Sequence, residues 1–318
     1  MTTFKEDSET PAGLPRGRAR RVGLFALCLA FVVGCGTPHV ALDEGAYLRE
    51  LEDWKAKRFA DLKSENGWLT LVGLFWLKEG ENKLGSDPAN DIVLPEGKAP
   101  RFAGSVHLEG GLTRLEGPPD SGVTTEDDKP VTSLALQSDA DGSPTVLRLG
   151  SLSFHVIRRG ERFALRVRDR EHPARLNFQG TQYFPASQTW RIAARFEPYN
   201  PPKPVRILNI TGMESDEPSP GALVFEADGR THRLDAITEK DNPNLFVIFA
   251  DQTSGRETYG AGRYLYVEPP DSSGRVMVDF NKAYSPPCAF TAFATCPLPP
   301  PQNRLALRVE AGEKYEKH

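Results

Sequence analysis

Seven polar side chains crowd into residues 251–284 of this 318-residue chain: Asp251, Glu257, Tyr259, Arg263, Asp279, Asn281 and Tyr284. An arginine within reach of two carboxylates and an amide builds either a buried hydrogen-bonded network or the floor of a pocket for a small polar ligand. Arg263 and Asp279–Asn281 reach the same sheet end if Tyr264–Val267 and Val276–Phe280 pair as a hairpin. Asp251 or Asp279 could then be the base of a hydrolase, which requires a carboxylate pKa raised in a dry cleft.

Other chemistries lack their residues. The histidines His39, His107, His155, His172, His232 and His318 are scattered and no CxxC occurs, so neither a metal nor a metal cofactor is expected. Gly260-Ala261-Gly262 leads into Arg263 and a strand, so no helix N-terminus cradles phosphate. No GxSxG elbow is present to supply a serine nucleophile. A formal charge of −4 with both signs interspersed gives no footprint for nucleic acid.

The N-terminus specifies an address. Arg16, Arg18, Arg20 and Arg21 precede an apolar run, Val22–Val33, too short to span a bilayer as a mature helix. The sequence Val32-Val33-Gly34-Cys35 that follows resembles a bacterial lipobox, which implies a signal peptide over residues 1–34 and a diacylated Cys35. Its removal takes away Lys5 and the four arginines but only Glu6, Asp7 and Glu9, moving the formal charge from −4 to −6. The expected location is the bacterial cell envelope on the periplasmic side, held by the lipid, with Gly36 pointing to the outer membrane.

The elements that must position the polar cluster are read next. In Asp43–Ser64 the residues Tyr47, Leu48, Leu51, Trp54, Phe59 and Leu62 share one stripe of a helical wheel, giving an amphipathic helix within a tether of residues 35–66. Trp68–Leu77 is a buried strand with a bulge at Gly73, and the alternating segments that follow form a β-sandwich over residues 67–175. Residues 176–318 read as a second β-sheet or barrel-like domain with long loops. Asn177–Ser187 and the prolines 198, 201, 202 and 204 are linkers, Asp228-Gly229 is a hairpin turn, Leu245–Ala250 is a central strand, and Leu305–Val309 is a further strand. The fold class is mainly β.

Three segments carry a family resemblance: Gly67–Pro95, Thr253–Val267 and Asp279–Leu305. Together they resemble domain of unknown function 1684, with a likeness running from Tyr47 nearly to the end. The resemblance implies no activity and no catalytic residues. Gly85 followed by Asn90-Asp91-Ile92-Val93-Leu94, with Leu149-Gly150 later, is similar to the forkhead-associated sandwich. In that module an arginine after the glycine grips phosphothreonine; Ser86 stands there, and Ser105-Val106-His107 matches the second phosphate contact only in compressed form.

The function expected is a non-enzymatic ligand-binding or interaction module of the envelope, its partner a small polar ligand or an envelope protein. Cys288 and Cys296 are the cysteines left beside Cys35 once residues 1–34 are removed. In an oxidising compartment they are expected to form a disulfide that fastens the loop 283–302 over the Asp251/Arg263/Asp279 cluster. The address is checked by metabolic labelling with a fatty-acid analogue, which is expected to mark the wild type and not Cys35→Ala. Equal labelling of both would refute lipidation.

Overall fold

Asp43 is an N-cap, its carboxylate accepting from the Gly45 amide at 3.0 Å, and helix α1 (Glu44–Lys63) follows. The computed structural model describes residues 43–316, so the lipobox, Cys35 and His39 lie outside the described residues. Tyr47, Leu51 and Leu62 are buried as expected, whereas Leu48 and Phe59 are 42% and 38% exposed. The apolar stripe is therefore narrower than the wheel implied. No helix among the described residues is long and apolar enough to cross a membrane.

Ten strands build the first β unit: β1 (Leu71–Trp76), β2 (Gly80–Gly85), β3 (Ile92–Val93), β4 (Gly104–Glu109), β5 (Leu112–Glu116), β6 (Thr124–Thr125), β7 (Ser133–Leu136), β8 (Leu147–Leu149), β9 (Leu152–Arg159) and β10 (Arg162–Asp169). Two five-stranded sheets, β1-β10-β9-β8-β6 and β3-β2-β4-β5-β7, face each other across a core that includes Leu84, Ile92, Leu115, Phe154, Val156 and Leu165. The register of β1 against β10 slips between Leu71 and Gly73, so the bulge falls where the glycine placed it.

The segment from Lys83 to Leu94 reads as a hairpin in sequence, but β2 and β3 pair in parallel, Leu84 with Ile92 and Gly85 with Val93. The loop between them crosses back before it rejoins the sheet. Gly85 is needed there because a Cβ would sit 2.3 Å from the Arg101 carbonyl oxygen.

After a short helix α2 (Pro173–Leu176), six strands form one sheet that curls into a half-barrel: β11 (Arg191–Leu208), β12 (Glu214–Ala227), β13 (Arg230–Glu239), β14 (Asn242–Phe249), β15 (Arg263–Val267) and β16 (Arg275–Asp279), in the order β15-β14-β13-β12-β11-β16. Asp228 and Gly229 take φ values of 50° and 67°, the two left-handed positions of the turn read from sequence. The prolines read as a linker lie instead inside β11. Its ladder with β12 skips from Pro198 to Lys203, which absorbs residues that cannot donate.

The β15–β16 hairpin does not form: β15 pairs with β14 and β16 with β11, at opposite edges of the sheet. Nor is Leu305–Val309 a strand, although Leu305, Leu307 and Val309 are buried in the half-barrel core. Apolar alternation there records packing of an extended segment rather than membership of a ladder.

The uninterrupted apolar run of β14 has a specific cause. Leu245, Val247 and Phe249 point to the half-barrel core with Leu265 and Val267 of β15, while Phe246 and Ile248 face the other way with Tyr264. Both sides of this central strand are covered, so no polar face remains.

Candidate functional site

The seven residues singled out from sequence do not form one site. Arg263 and Asp251 form an ion pair at 3.1 Å with both side chains at zero exposure. Asp251 also accepts from the Thr253 hydroxyl at 2.9 Å, the Thr253 amide at 3.2 Å and the Val309 amide at 2.8 Å. Arg263 donates to the carbonyls of Val309, at 3.0 Å, and Ala311. The pair thus holds the extended C-terminal segment against the sheet. Burial lowers the Arg263 pKa, and Asp251 opposes that shift.

Asp279 and Asn281 belong to a second network. The Tyr47 hydroxyl donates to both Asp279 oxygens at 3.0 Å, and Asn281 Nδ2 donates to Asp279, Tyr47 Oη and the Ser187 carbonyl at 3.1, 2.9 and 2.8 Å. Burial and the adjacent Asp279 raise the Tyr47 pKa well above its ordinary value, so the phenol stays a donor. This network docks the first turn of α1. Glu257 pairs with Arg308, and the Tyr259 hydroxyl donates to the Cys288 carbonyl at 2.9 Å.

Asp251 and Asp279 therefore stand apart, each engaged by several donors. Neither has the lone desolvated carboxylate a hydrolytic base requires.

Tyr284 leads to a different place. It lines a cavity of about 420 Å³ with Arg58, Trp68, Arg159, Arg166, Glu239, Phe246, Tyr264, Tyr266 and Cys296. One wall is a continuous aromatic panel: Phe246 stacks on Tyr266 at 4.9 Å and meets Tyr264 edge-on at 5.0 Å, and Tyr284 adjoins Tyr266 at 6.3 Å. Phe246, Tyr264 and Tyr266 are the outward residues of β14 and β15, whose inward neighbours fill the half-barrel core.

The opposite chemistry comes from β9 and β10. Along β10, Phe163, Leu165 and Val167 enter the sandwich core, so Arg166 lies on the other face of that sheet. Arg166 is only 4% exposed, yet its guanidinium makes no ion pair or hydrogen bond among the described residues, and its Nε is sealed from solvent without a partner. It lies over the Trp68 ring at 5.6 Å. Burial first, then repulsion from Arg159 and Arg168, pulls its pKa down to about 10. The cross-strand neighbour His155 responds to the same surroundings: burial, then Arg168 and Arg166, push its imidazole down to about 4.

The other two cavity arginines are matched. Arg159 pairs with Asp139 at 2.9 Å. Arg58 donates to Glu313 at 2.9 Å and to the Ser285 carbonyl at 2.8 Å, and sits over the Tyr284 ring at 4.6 Å. Glu313 has no exposure and also accepts from the Ser285 amide at 2.8 Å.

Sequence reading missed Arg58, Arg159, Arg166 and Glu313. The repeated arginines of Arg158–Arg170 were a visible signal, but alternation with apolar residues marks such positions as solvent-facing unless another layer covers them.

The loop 283–302 covers the aromatic panel rather than the Asp251/Arg263 pair. Tyr264 Oη donates to the Pro297 carbonyl at 2.8 Å, and the Leu298 and Ile210 amides donate to the Leu208 and Cys296 carbonyls at 2.8 and 2.9 Å. Cys288 and Cys296 stand side by side as free thiols, the Cys288 amide donating to Cys296 Sγ at 3.1 Å. The hydrogen bond between the thiols lowers the Cys288 pKa and raises that of Cys296. Cys288 also lines a separate cleft of about 850 Å³ with Phe178, Ile210, Tyr259, Phe290 and Tyr315.

The phosphothreonine reading of the sandwich has no guanidinium at its first position: the Ser86 hydroxyl donates to the Ala99 carbonyl at 3.0 Å, and the nearby Arg101 pairs with Asp87.

Stability separates the two polar networks. Arg263→Met strands a buried carboxylate and is expected to lower unfolding free energy by roughly 3–5 kcal/mol in urea titrations. Asp279→Asn keeps an acceptor for Tyr47 and is expected to cost about 1 kcal/mol. Equal losses would contradict this division.

A family model described as a protein of unknown function, DUF1684, matches residues 176–314. That span is shorter than the likeness read from Tyr47 onward, and the three cavity arginines precede it. No curated protein matches the chain. Among solved structures, an uncharacterized protein of Haloarcula marismortui, determined by NMR, is 35% identical over 44% of this chain and 78% of that one, with a TM-score of 0.38. Two forkhead-associated domains are also similar, both 24% identical with TM-scores of 0.21. One, from FhaA, aligns over 30% of this chain and 97% of its own; the other, from work on phosphothreonine-dependent interactions, over 31% and 96%. The matched model assigns residues 176–314 of this chain to the DUF1684 family.

Proposed function

We propose that this protein is a lipid-anchored envelope module that binds a small anionic ligand in the arginine–aromatic cavity. The observation that carries this reading is Arg166, a buried cation with no hydrogen-bond or ion-pair partner among the described residues, lining a cavity of about 420 Å³. A buried guanidinium with no carboxylate in direct contact is costly, and an oxyanion entering the cavity supplies the bidentate acceptor it lacks. The aromatic panel gives the ligand an apolar surface to lie on. The cysteine pair is a disulfide in the exported protein, and its role is to hold the covering loop 283–302 in place over the panel.

The two parts of the proposal are tested separately. Thermal unfolding is measured with acetate, benzoate, inorganic phosphate and phenyl phosphate. At least one is expected to raise the wild-type Tm and to have no effect on Arg166→Met. Without ligand, Arg166→Met is expected to be as stable as wild type or more so, because it removes an uncompensated charge. A large loss of stability, with no anion acting on the wild type, would show that Arg166 is structural. For the disulfide, iodoacetamide is expected to label neither Cys288 nor Cys296 in folded envelope protein until a reductant is added. A free thiol at either position would refute it.

A further inference from the structure

Charges around the cavity cancel in pairs until two remain. Arg58 is matched by Glu313, and Arg159 by Asp139. Arg166 and Glu239 are left, one of each sign, both lining the same space. Glu239 ends β13 and is exposed; it accepts from the Tyr266 hydroxyl at 2.6 Å and from Asn242 Nδ2 at 3.5 Å, with no ion pair among the described residues. The unpaired cation is thus deep and the unpaired carboxylate is at the surface.

Resting on the anion-binding reading above, we propose that the ligand is a zwitterion whose oxyanion reaches Arg166 and whose ammonium group stays at the mouth with Glu239 and the Tyr266 ring. A simple anion entering the cavity meets a carboxylate at the rim that opposes it. A zwitterion is attracted at both ends. Tyr266 and the stacked Phe246 present π-systems beside Glu239, the combination that recognises ammonium groups. The panel already attracts one cation of its own, since Arg58 rests over Tyr284 at 4.6 Å. Because the two charges lie at different depths, the groups on the ligand are separated by an apolar body that lies along Phe246 and Tyr264. This excludes α-amino acids with both charges on one carbon and favours ω-amino carboxylates, aliphatic or aromatic.

The test uses the full protein and isothermal titration with a series of defined charge separation: glycine, 4-aminobutanoate, 6-aminohexanoate and 4-(aminomethyl)benzoate, each compared with its des-amino carboxylate. The best zwitterion is expected to bind about five-fold tighter than its des-amino counterpart, the order of one exposed ion pair. Glu239→Gln is expected to erase that preference while leaving the des-amino carboxylate bound as well or better, and Arg166→Met to abolish binding of both. If the des-amino carboxylates bind as tightly as the zwitterions throughout, the zwitterion is excluded and the anion site stands. If no member of either series binds, and the simple anions above also fail, both are overturned.

Discussion

Two buried ion pairs hold the extended C-terminal segment to the fold, and the rest of the second half depends on them. Asp251–Arg263 binds the backbone at Val309 and Ala311, and Arg58–Glu313 binds the next turn of chain to helix α1. Between them Gly312 lies so close to residue 283 that a Cβ would come within 2.3 Å of the Ala283 carbonyl oxygen. A segment with no ladder of its own is thereby fixed at Val309, Ala311 and Glu313, and its Leu305, Leu307 and Val309 fill the half-barrel core. Helix α1 has few buried apolar residues to dock it. Arg58 and Tyr47 supply the directional contacts that its hydrophobic face lacks.

The cavity follows from a sheet that is covered on both faces. One side of β14 and β15 completes the half-barrel core, and the other carries Phe246, Tyr264 and Tyr266. Aromatic rings rather than aliphatic chains on that second side leave a flat, stiff surface that does not collapse into the space beside it. The outer face of β10 presents Arg166 and the loop 283–302 forms a border through Cys296 and Pro297. The rings are stiff, and Arg58 and Arg159 are held at the border by Glu313 and Asp139, so these side chains do not fold in to fill the space.

Much of this was legible in the sequence, and what was not has physical reasons. The mainly β class, the α1 helix, the Gly73 bulge, the Asp228-Gly229 turn and the central position of Leu245–Ala250 follow from local patterns that act within a few residues. The β15–β16 pairing failed because adjacency in sequence does not fix sheet order: β15 pairs with β14 and β16 with β11, which leaves the two as the outermost strands. The polar cluster failed for a related reason. Asp251, Arg263 and Asp279 were grouped by spacing, but Arg263 turns to Asp251 and the Val309 and Ala311 carbonyls, whereas Asp279 is taken by Tyr47 from far earlier in the chain. Arg166 was unreadable because alternation cannot distinguish a face open to water from one covered by residues a hundred positions away.

The unpaired charges also divide along the chain in a way that bears on the recognition proposed for the cavity. The DUF1684 match covers residues 176–314, which contribute the aromatic panel, Cys296, Pro297 and Glu239. Arg58, Trp68, Arg159 and Arg166 all come from earlier residues. Taken alone, the later half would offer an aromatic surface beside a carboxylate, a combination suited to cations. The preceding strands add three guanidinia, of which Glu313 and Asp139 neutralise two, and so convert one end of that surface to the opposite preference. The recognition proposed for this site is therefore a property of the assembled chain. Arg166 of β10 and the rings of β14 and β15 line one cavity, so its charge acts in a space to which both halves contribute.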